Sequence, residues 1–177
     1  TTVTVRDLFF NLPARKKFLS GDSAETRRIT GLVRRMSLSF PSTAITLQSG
    51  GKKILSYSSS SLNERIEAVI GPGNFKRMRS VEKTGGDLKL SGYVSSPELS
   101  RGNRSMQYFF VNNRYVKDKV IGFALRRAYE NVIPGDRHPM AVLFLEVPHT
   151  MVDINVHPSK SRIKFQDERN VHRFVHH

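Results

Sequence analysis

The stretch "MQYFFVNNRYVKDKVIGFALRRAYEN", residues 106–131, decides the fold class, because its hydrophobic period changes part way along. The run "MQYFFV" is aromatic and β-branched and reads as a strand. It stops at Asn112-Asn113, a pair that tolerates the left-handed backbone of a tight turn. From about Asp118 to Asn131 the period is helical. Ile121, Ala124, Leu125, Ala128 and Val132 recur at i, i+3, i+4, i+7 and i+11 as one apolar stripe, and Lys119 and Arg126, seven apart, align on the far side. Phe123 lands with the cations and has no packing role legible from sequence.

Strands and helices continue to alternate on both sides of this unit. Downstream come strands "MAVLFLEV", "VDINV" and "RIKF", then a last helix from about Glu168. Upstream, "RSVEK" and "DLKLSGYVS" turn about Gly85-Gly86, and "LNERIEAVIG" is a helix closed by Gly71. "STAITLQ" and "KKILSYS" flank the hairpin signal Ser49-Gly50-Gly51. The serine run 58–61 and the basic stretch Arg101 to Arg104 read as loops. Asp22 and Glu25 have capping-box spacing and announce a helix to about Phe40. Its residues Ile29, Leu32, Val33, Met36 and Phe40 form a stripe expected to be buried, with Arg27, Arg28, Arg34 and Arg35 on the exposed side. Pro13 opens a short helix in "PARKKFL", and "TTVTVRDLFF" alternates as a strand. The order is mixed α/β, with hairpins and crossover helices and no internal repeat.

Charge narrows the partners. Among 177 residues, 29 Lys and Arg face 15 Asp and Glu, a formal +14, which draws polyanions and favours nucleic acid over an anionic membrane. No apolar run approaches the ~18 residues that span a bilayer, and no basic-then-apolar leader opens the chain. With no cysteine there is neither a disulfide nor a thiolate metal site, in keeping with a reducing compartment, cytosolic or nuclear. The chain starts in mid-pattern at Thr1 and stops at His176 and His177, which match the start of a purification tag; it reads as a fragment of something longer.

One feature points to phosphate, and another sets a lysine apart on a loop. Lys119 stands in the first turn of a helix, where a cation opposes the macrodipole at a cost of ~0.3–1 kcal/mol and a bound anion would reverse that cost; Asp118 as a cap would also offset the charge. In "VDINVHPSKSRIKF", residues 152–165, Pro158 interrupts the ladder between two half-buried strands, which puts Lys160 on a loop. Catalytic patterns are otherwise thin. Gly71-Pro72-Gly73 and Gly85-Gly86 are turns rather than phosphate loops, and His138, His149, His157 and His172 lack zinc spacing.

Three segments, "TTVTVRDLFFNLPARKKFL", "FFVNNRYVKDK" and "VDINVHPSKSRIKF", resemble signatures of the MutL-type DNA mismatch repair proteins, in the same order and spacing over nearly the whole chain. The Gln-Thr-Lys segment usual in gyrase-type relatives of the same GHKL ATPase superfamily is absent. The resemblance implies a transducer fold, α/β (α+β), of the ribosomal-protein S-five second-domain type, a mixed β-sheet packed with helices. Residues 1–20 would be the tail of the ATPase domain with its linker helix, and 21–177 the transducer domain.

By the same resemblance, Lys160 contacts the γ-phosphate of ATP held by the upstream ATPase domain, with Asn155 supporting the loop and Pro158 stiffening it. ATP and Mg belong to the full-length parent, and the isolated fragment is expected to need neither. The basic residue matching Lys119 belongs to the family's DNA-binding surface. Lys117, Lys119, Arg126, Arg27, Arg28, Arg34 and Arg35 are the expected DNA-binding residues, for weak, non-specific contact. The implied partners are a MutS-type recognition protein and a downstream nuclease or helicase, with a homodimeric parent in the cytoplasm of a bacterium or the nucleus of a eukaryote. Alternatives are a free-standing nucleic-acid-binding domain of the same fold, the transducer of another GHKL ATPase such as gyrase B, and, least favoured, a hydrolase in its own right.

Overall fold

The computed structural model describes residues 1–153 and 163–177. In chain order the elements are α1 (Pro13–Lys16), α2 (Asp22–Ser39), β1 (Ile45–Ser49), β2 (Lys52–Tyr57), α3 (Leu62–Ile70), α4 (Pro72–Phe75), β3 (Met78–Gly85), β4 (Leu88–Ser95), β5 (Ser100–Arg101), β6 (Gln107–Val111), β7 (Arg114–Val116), α5 (Lys119–Ala128), β8 (His138–Pro139), β9 (Ala141–Glu146), a 3-10 turn (His149–Met151), β10 (Val152–Asp153), β11 (Lys164–Phe165) and α6 (Glu168–His176). Five strands form the main sheet in the order β3-β4-β9-β6-β7, all antiparallel except β6 with β9.

β9 explains why the sheet sits where it does. A strand covered on both faces reads as a continuous apolar run, and "AVLFL" is buried throughout. Ala141, Leu143 and Leu145 face one core with α5 and α6, together with Phe109, Val111, Ile121, Leu125 and Phe174. Val142 and Phe144 face a second core with Leu38 from the end of α2, Ile66, Val69 and Ile70 from α3, and Phe110. Phe110 and Phe144 are opposite each other in the parallel register and stack with centroids 4.6 Å apart. Gly92 is required where β4 crosses β9: a Cβ there would lie 2.0 Å from the Val142 carbonyl oxygen.

The structure corrects several expectations. "TTVTVRDLFF" is not a strand: residues 1–6 have no regular structure, and Val3 and Val5 stay exposed, since alternation makes a strand only where another strand pairs with it. Asp22 does not cap α2. Gly21 occupies that position, and no capping box forms: Glu25, one residue past its place in the box, accepts from the Ser20 N–H ahead of the cap at 3.0 Å. α5 ends at Ala128 rather than Asn131, leaving Ala128 and Val132 exposed. Pro72 starts a short helix where a plain turn was expected. Arg101 belongs to a two-residue strand paired with His138.

The largest correction is the orientation of α2. Ile29, Leu32, Met36 and Phe40 are 48–56% exposed, and the buried residues are Ser37 and Leu38. Arg27, Arg28 and Arg34 are exposed as expected, but Arg35 is half-buried, and both Arg34 and Arg35 bear electrostatically on Tyr108. Periodicity finds the two faces of a helix, but what covers them is decided by the neighbours.

Candidate nucleic-acid interface

β7 is an edge of the sheet, and the short segment from Asn112 to Lys119 places most of the cations. Asn112 and Asn113 take φ of 47° and 63°, the left-handed pair of a two-residue hairpin turn. Asn112 then fixes the turn. Its side-chain amide donates to the Val147 carbonyl and accepts from the Val147 N–H, each at 2.9 Å, so the amide acts as one more rung beyond β9. The strand that follows exposes Arg114, half-buries Tyr115 and buries Val116. Lys117 follows, exposed, and Asp118 caps α5 by accepting from the Ile121 N–H at 2.9 Å.

Two clefts flank this edge. One, about 690 Å³, lies between α2 and the hairpin and is lined by Leu32, Arg35, Met36, Arg114, Tyr115 and Lys117 among others. The other, about 360 Å³, is lined by Arg104, Gln107, Tyr115, Lys117, Asp118 and Lys119 among others. Tyr115 and Lys117 line both, so the clefts meet. The Arg35 guanidinium carbon lies 4.9 Å from the Tyr115 ring centroid, a cation-π contact, and its buried Nε has no hydrogen-bond partner among the described residues.

The expected site residues are thus brought together unequally. Arg35, Lys117 and Lys119 converge on one groove, and Arg34 bears on Tyr108 from the same helix. Arg126 lies further along α5 and donates to the Gly135 carbonyl at 3.1 Å. Arg27 and Arg28 are exposed toward the start of α2, away from the groove residues, and Arg28 is paired with Glu25. Lys160 and Asn155 lie outside the described residues. β10 and β11, on either side of them, pair Asp153 with Lys164 and Val152 with Phe165. Arg104, Arg114 and Tyr115 are not among the residues expected from sequence, although an arginine and an aromatic three and two residues before Lys117 in "NNRYVKDK" are a legible signal.

Burial and charge adjust three groups here. Burial pushes the Asp118 carboxyl up from its ordinary 3.8, and N–H groups at the start of α5 oppose the rise. Burial also raises the Tyr115 phenol, with Arg35 opposing. His138 is depressed by burial first and then by the Arg104 and Arg126 cations, with Asp136 opposing. Among the described residues, no cluster of three or more His, Asp or Glu could hold a metal, and no helix is long and apolar enough to cross a membrane.

A family model described as "DNA mismatch repair protein, C-terminal domain" matches residues 66–177. The DNA mismatch repair protein MutL of Ralstonia nicotianae is 41% identical over 177 residues, covering 100% of this chain and 28% of that protein. The chain therefore spans little more than a quarter of the length of such curated relatives. Among solved structures, the Aquifex aeolicus MutL ATPase domain complexed with ADP is 28% identical, with a TM-score of 0.64 over 97% of this chain and 55% of that one. The N-terminal domain of a DNA repair protein gives a TM-score of 0.74 at 25% identity, over 95% of this chain and 56% of that one. With a mixed sheet like that of the MutL ATPase domain and a family model that matches well over half of its residues, the chain belongs to the MutL family of DNA mismatch repair proteins.

Proposed function

We propose that the chain is the transducer part of an ATP-dependent mismatch repair factor and that it binds DNA without sequence preference along the β7 edge. The observation that carries this reading is the continuity of the basic groove from Arg35 past Tyr115 and Lys117 to Lys119 and Arg104. Lysines and arginines in such a row contact phosphates and not base edges, while a ring between them offers a face to a base. Mismatch choice then falls to a MutS-type partner, and the output to a nuclease or helicase.

The nucleotide half of the proposal rests on Lys160, with Asn155 and Pro158 shaping its loop. In the full-length homodimer Lys160 would contact the γ-phosphate of ATP, bound with Mg in the upstream domain, and report its presence or loss as a change in domain orientation. The seam with that domain would run through residues 1–20, whose Val3, Val5, Phe10 and Phe18 are exposed. The Aquifex relative's ADP supports a nucleotide in the parent.

Fluorescence anisotropy with duplex and single-stranded oligonucleotides across a salt series tests the DNA half. Neutralising about four phosphates predicts a log–log slope near −3.6 on duplex, a loss of about a hundredfold between roughly 50 and 200 mM salt. Lys119→Glu and Arg35→Glu should both weaken binding. A flat salt dependence, or unchanged affinity in both variants, would overturn it.

A further inference from the structure

We infer that the opposite edge of the sheet, along β3, is a docking groove for an extended acidic peptide of a partner protein, one that carries an apolar side chain two residues from a carboxylate. Among the described residues β3 pairs only with β4, so one side of an eight-residue strand presents unpaired N–H and C=O groups. Such an edge invites a further strand unless charge blunts it. Of the three charges on β3, Arg79 and Glu82 are exposed, Glu82 being the one carboxylate that lines the second chamber below, and Lys83 is engaged elsewhere: its Nζ donates to the Phe174 carbonyl at 3.1 Å and lies 4.8 Å from that ring.

The space beside the edge has two chambers. The first, about 700 Å³, is rimmed by the exposed cations Lys76, Arg77 and Arg79 against one carboxylate, Glu98. The second, about 540 Å³, has Val81, Leu90, Leu125 and Phe174 in its walls. Both are lined by Val94, Ala128 and Tyr129, so they form one groove between β3 and the ends of α5 and α6. Successive residues of a strand point to opposite faces, so Arg79 and Val81 share a face about 7 Å apart. A strand laid along β3 repeats that spacing, which sets its carboxylate opposite the cations and its apolar side chain, two residues on, in the second chamber. Nucleic acid would use the cations but neither the apolar chamber nor the unpaired amides.

The test is a display library of octapeptides containing Asp or Glu, any residue, then Leu, Ile or Phe, panned on the chain beside the same library with Lys at the acidic position. Enrichment of the acidic set is expected, and the best binder should shift the amide resonances of β3. The paired variant Arg77→Glu with Arg79→Glu alters two exposed side chains, so its melting should match the parent while peptide affinity falls about tenfold or more. Lys119→Glu should leave peptide affinity unchanged, so failure of the DNA reading and failure of this one are separable. No enrichment of the acidic set, binders indifferent to the paired reversal, loss of DNA binding without any peptide binding, or a dimer of this chain broken by the same pair would each overturn the inference.

Discussion

Arg65→Met removes the most connected charge in the molecule. Arg65 is 1% exposed and, among the described residues, is paired with no carboxylate; its hydrogen bonds all go to backbone carbonyls, and its guanidinium carbon lies 5.3 Å from the Tyr57 ring centroid. Nη1 donates to Ser37 O at 2.9 Å, and Nη2 to Pro41 O at 2.7 Å, Thr43 O at 3.0 Å and Ser58 O at 2.6 Å. One side chain of α3 thereby holds the end of α2, the turn after it and the exit of β2. The need begins in the sequence. Ser37 O would accept from the N–H four residues on, but that residue is Pro41, which has none. Pro41 O keeps a second donor, the Ser60 N–H at 3.1 Å. Methionine preserves the apolar stem but leaves the Ser37, Thr43 and Ser58 carbonyls without this donor. At about 1–3 kcal/mol for the buried Ser37 acceptor and less for the Thr43 and Ser58 acceptors, which water can reach, less the relief of no longer desolvating a cation, the net loss is about 2–4 kcal/mol. In a domain of this size that lowers Tm by about 4–16 °C. Arg65→Lys should recover little, because an ammonium has three donors and no planar fork. Circular dichroism melts of the three proteins check the claim. A Tm for Arg65→Met within about 2 °C of the parent would refute it.

Gly92→Ala should give no soluble folded chain, since the new methyl meets the backbone of β9 at a position with φ of 136°; near-parental expression and melting would contradict this. For Asp118, whose carboxyl is raised by burial, the associated stability is complete below its ordinary 3.8 and is lost as pH rises through the raised value. Asp118→Asn keeps the cap acceptor without the charge, so its stability relative to the parent should improve from about pH 3.5 to 6 in urea titrations, and a constant difference would count against the assignment. His138 is depressed by burial and by Arg104 and Arg126, and a phosphate seated on Arg104 in the groove would offset part of that depression. DNA affinity should accordingly rise as pH falls from about 7.5 to 6, less so in His138→Gln, and equal pH profiles would place the phosphates elsewhere. In the full-length protein, Lys160→Ala should slow ATP turnover about tenfold to a hundredfold with the fold intact, as judged by steady-state hydrolysis and melting; unchanged turnover would remove Lys160 from the γ-phosphate.

What the sequence discloses depends on whether a feature is complete within a few residues. The Asn112-Asn113 turn, the Gly85-Gly86 turn and the buried run of β9 are local, and each is found where its residues place it. So is the Asp118 cap, which stands beside Lys119 and offsets the cation that the start of α5 disfavours. The failures concern partners. "TTVTV" has a strand's alternation and α2 a buried helix's stripe, but neither pattern names the surface that would cover it, and both are exposed. Arg65 is silent in the sequence, because a lone arginine in "LNERIEAVIG" has no local sign that five loop and helix-end carbonyls converge on it.

One cation from each of two helix faces, Arg35 of α2 and Lys119 of α5, lines the same groove. Helical projection assigns Arg34 and Arg35 to one side of α2 and Lys119 to the free side of α5, with no statement of how the two helices lie. β7 supplies it. As the edge strand beside β6 it leads from the Asn112-Asn113 turn straight into α5, so Arg114, Lys117 and Lys119 follow one another along the rim. Leu38, fully buried against the other face of the sheet, holds the end of α2 where Arg35 can reach over Tyr115. Phe110, which meets the Tyr115 ring edge-on at 5.9 Å, supports that ring from the core side. Arg114, Lys117 and Lys119 are exposed one by one, yet the surface that spaces them is built from some of the least exposed residues of the chain, the rigidity that the proposed row of phosphates would require.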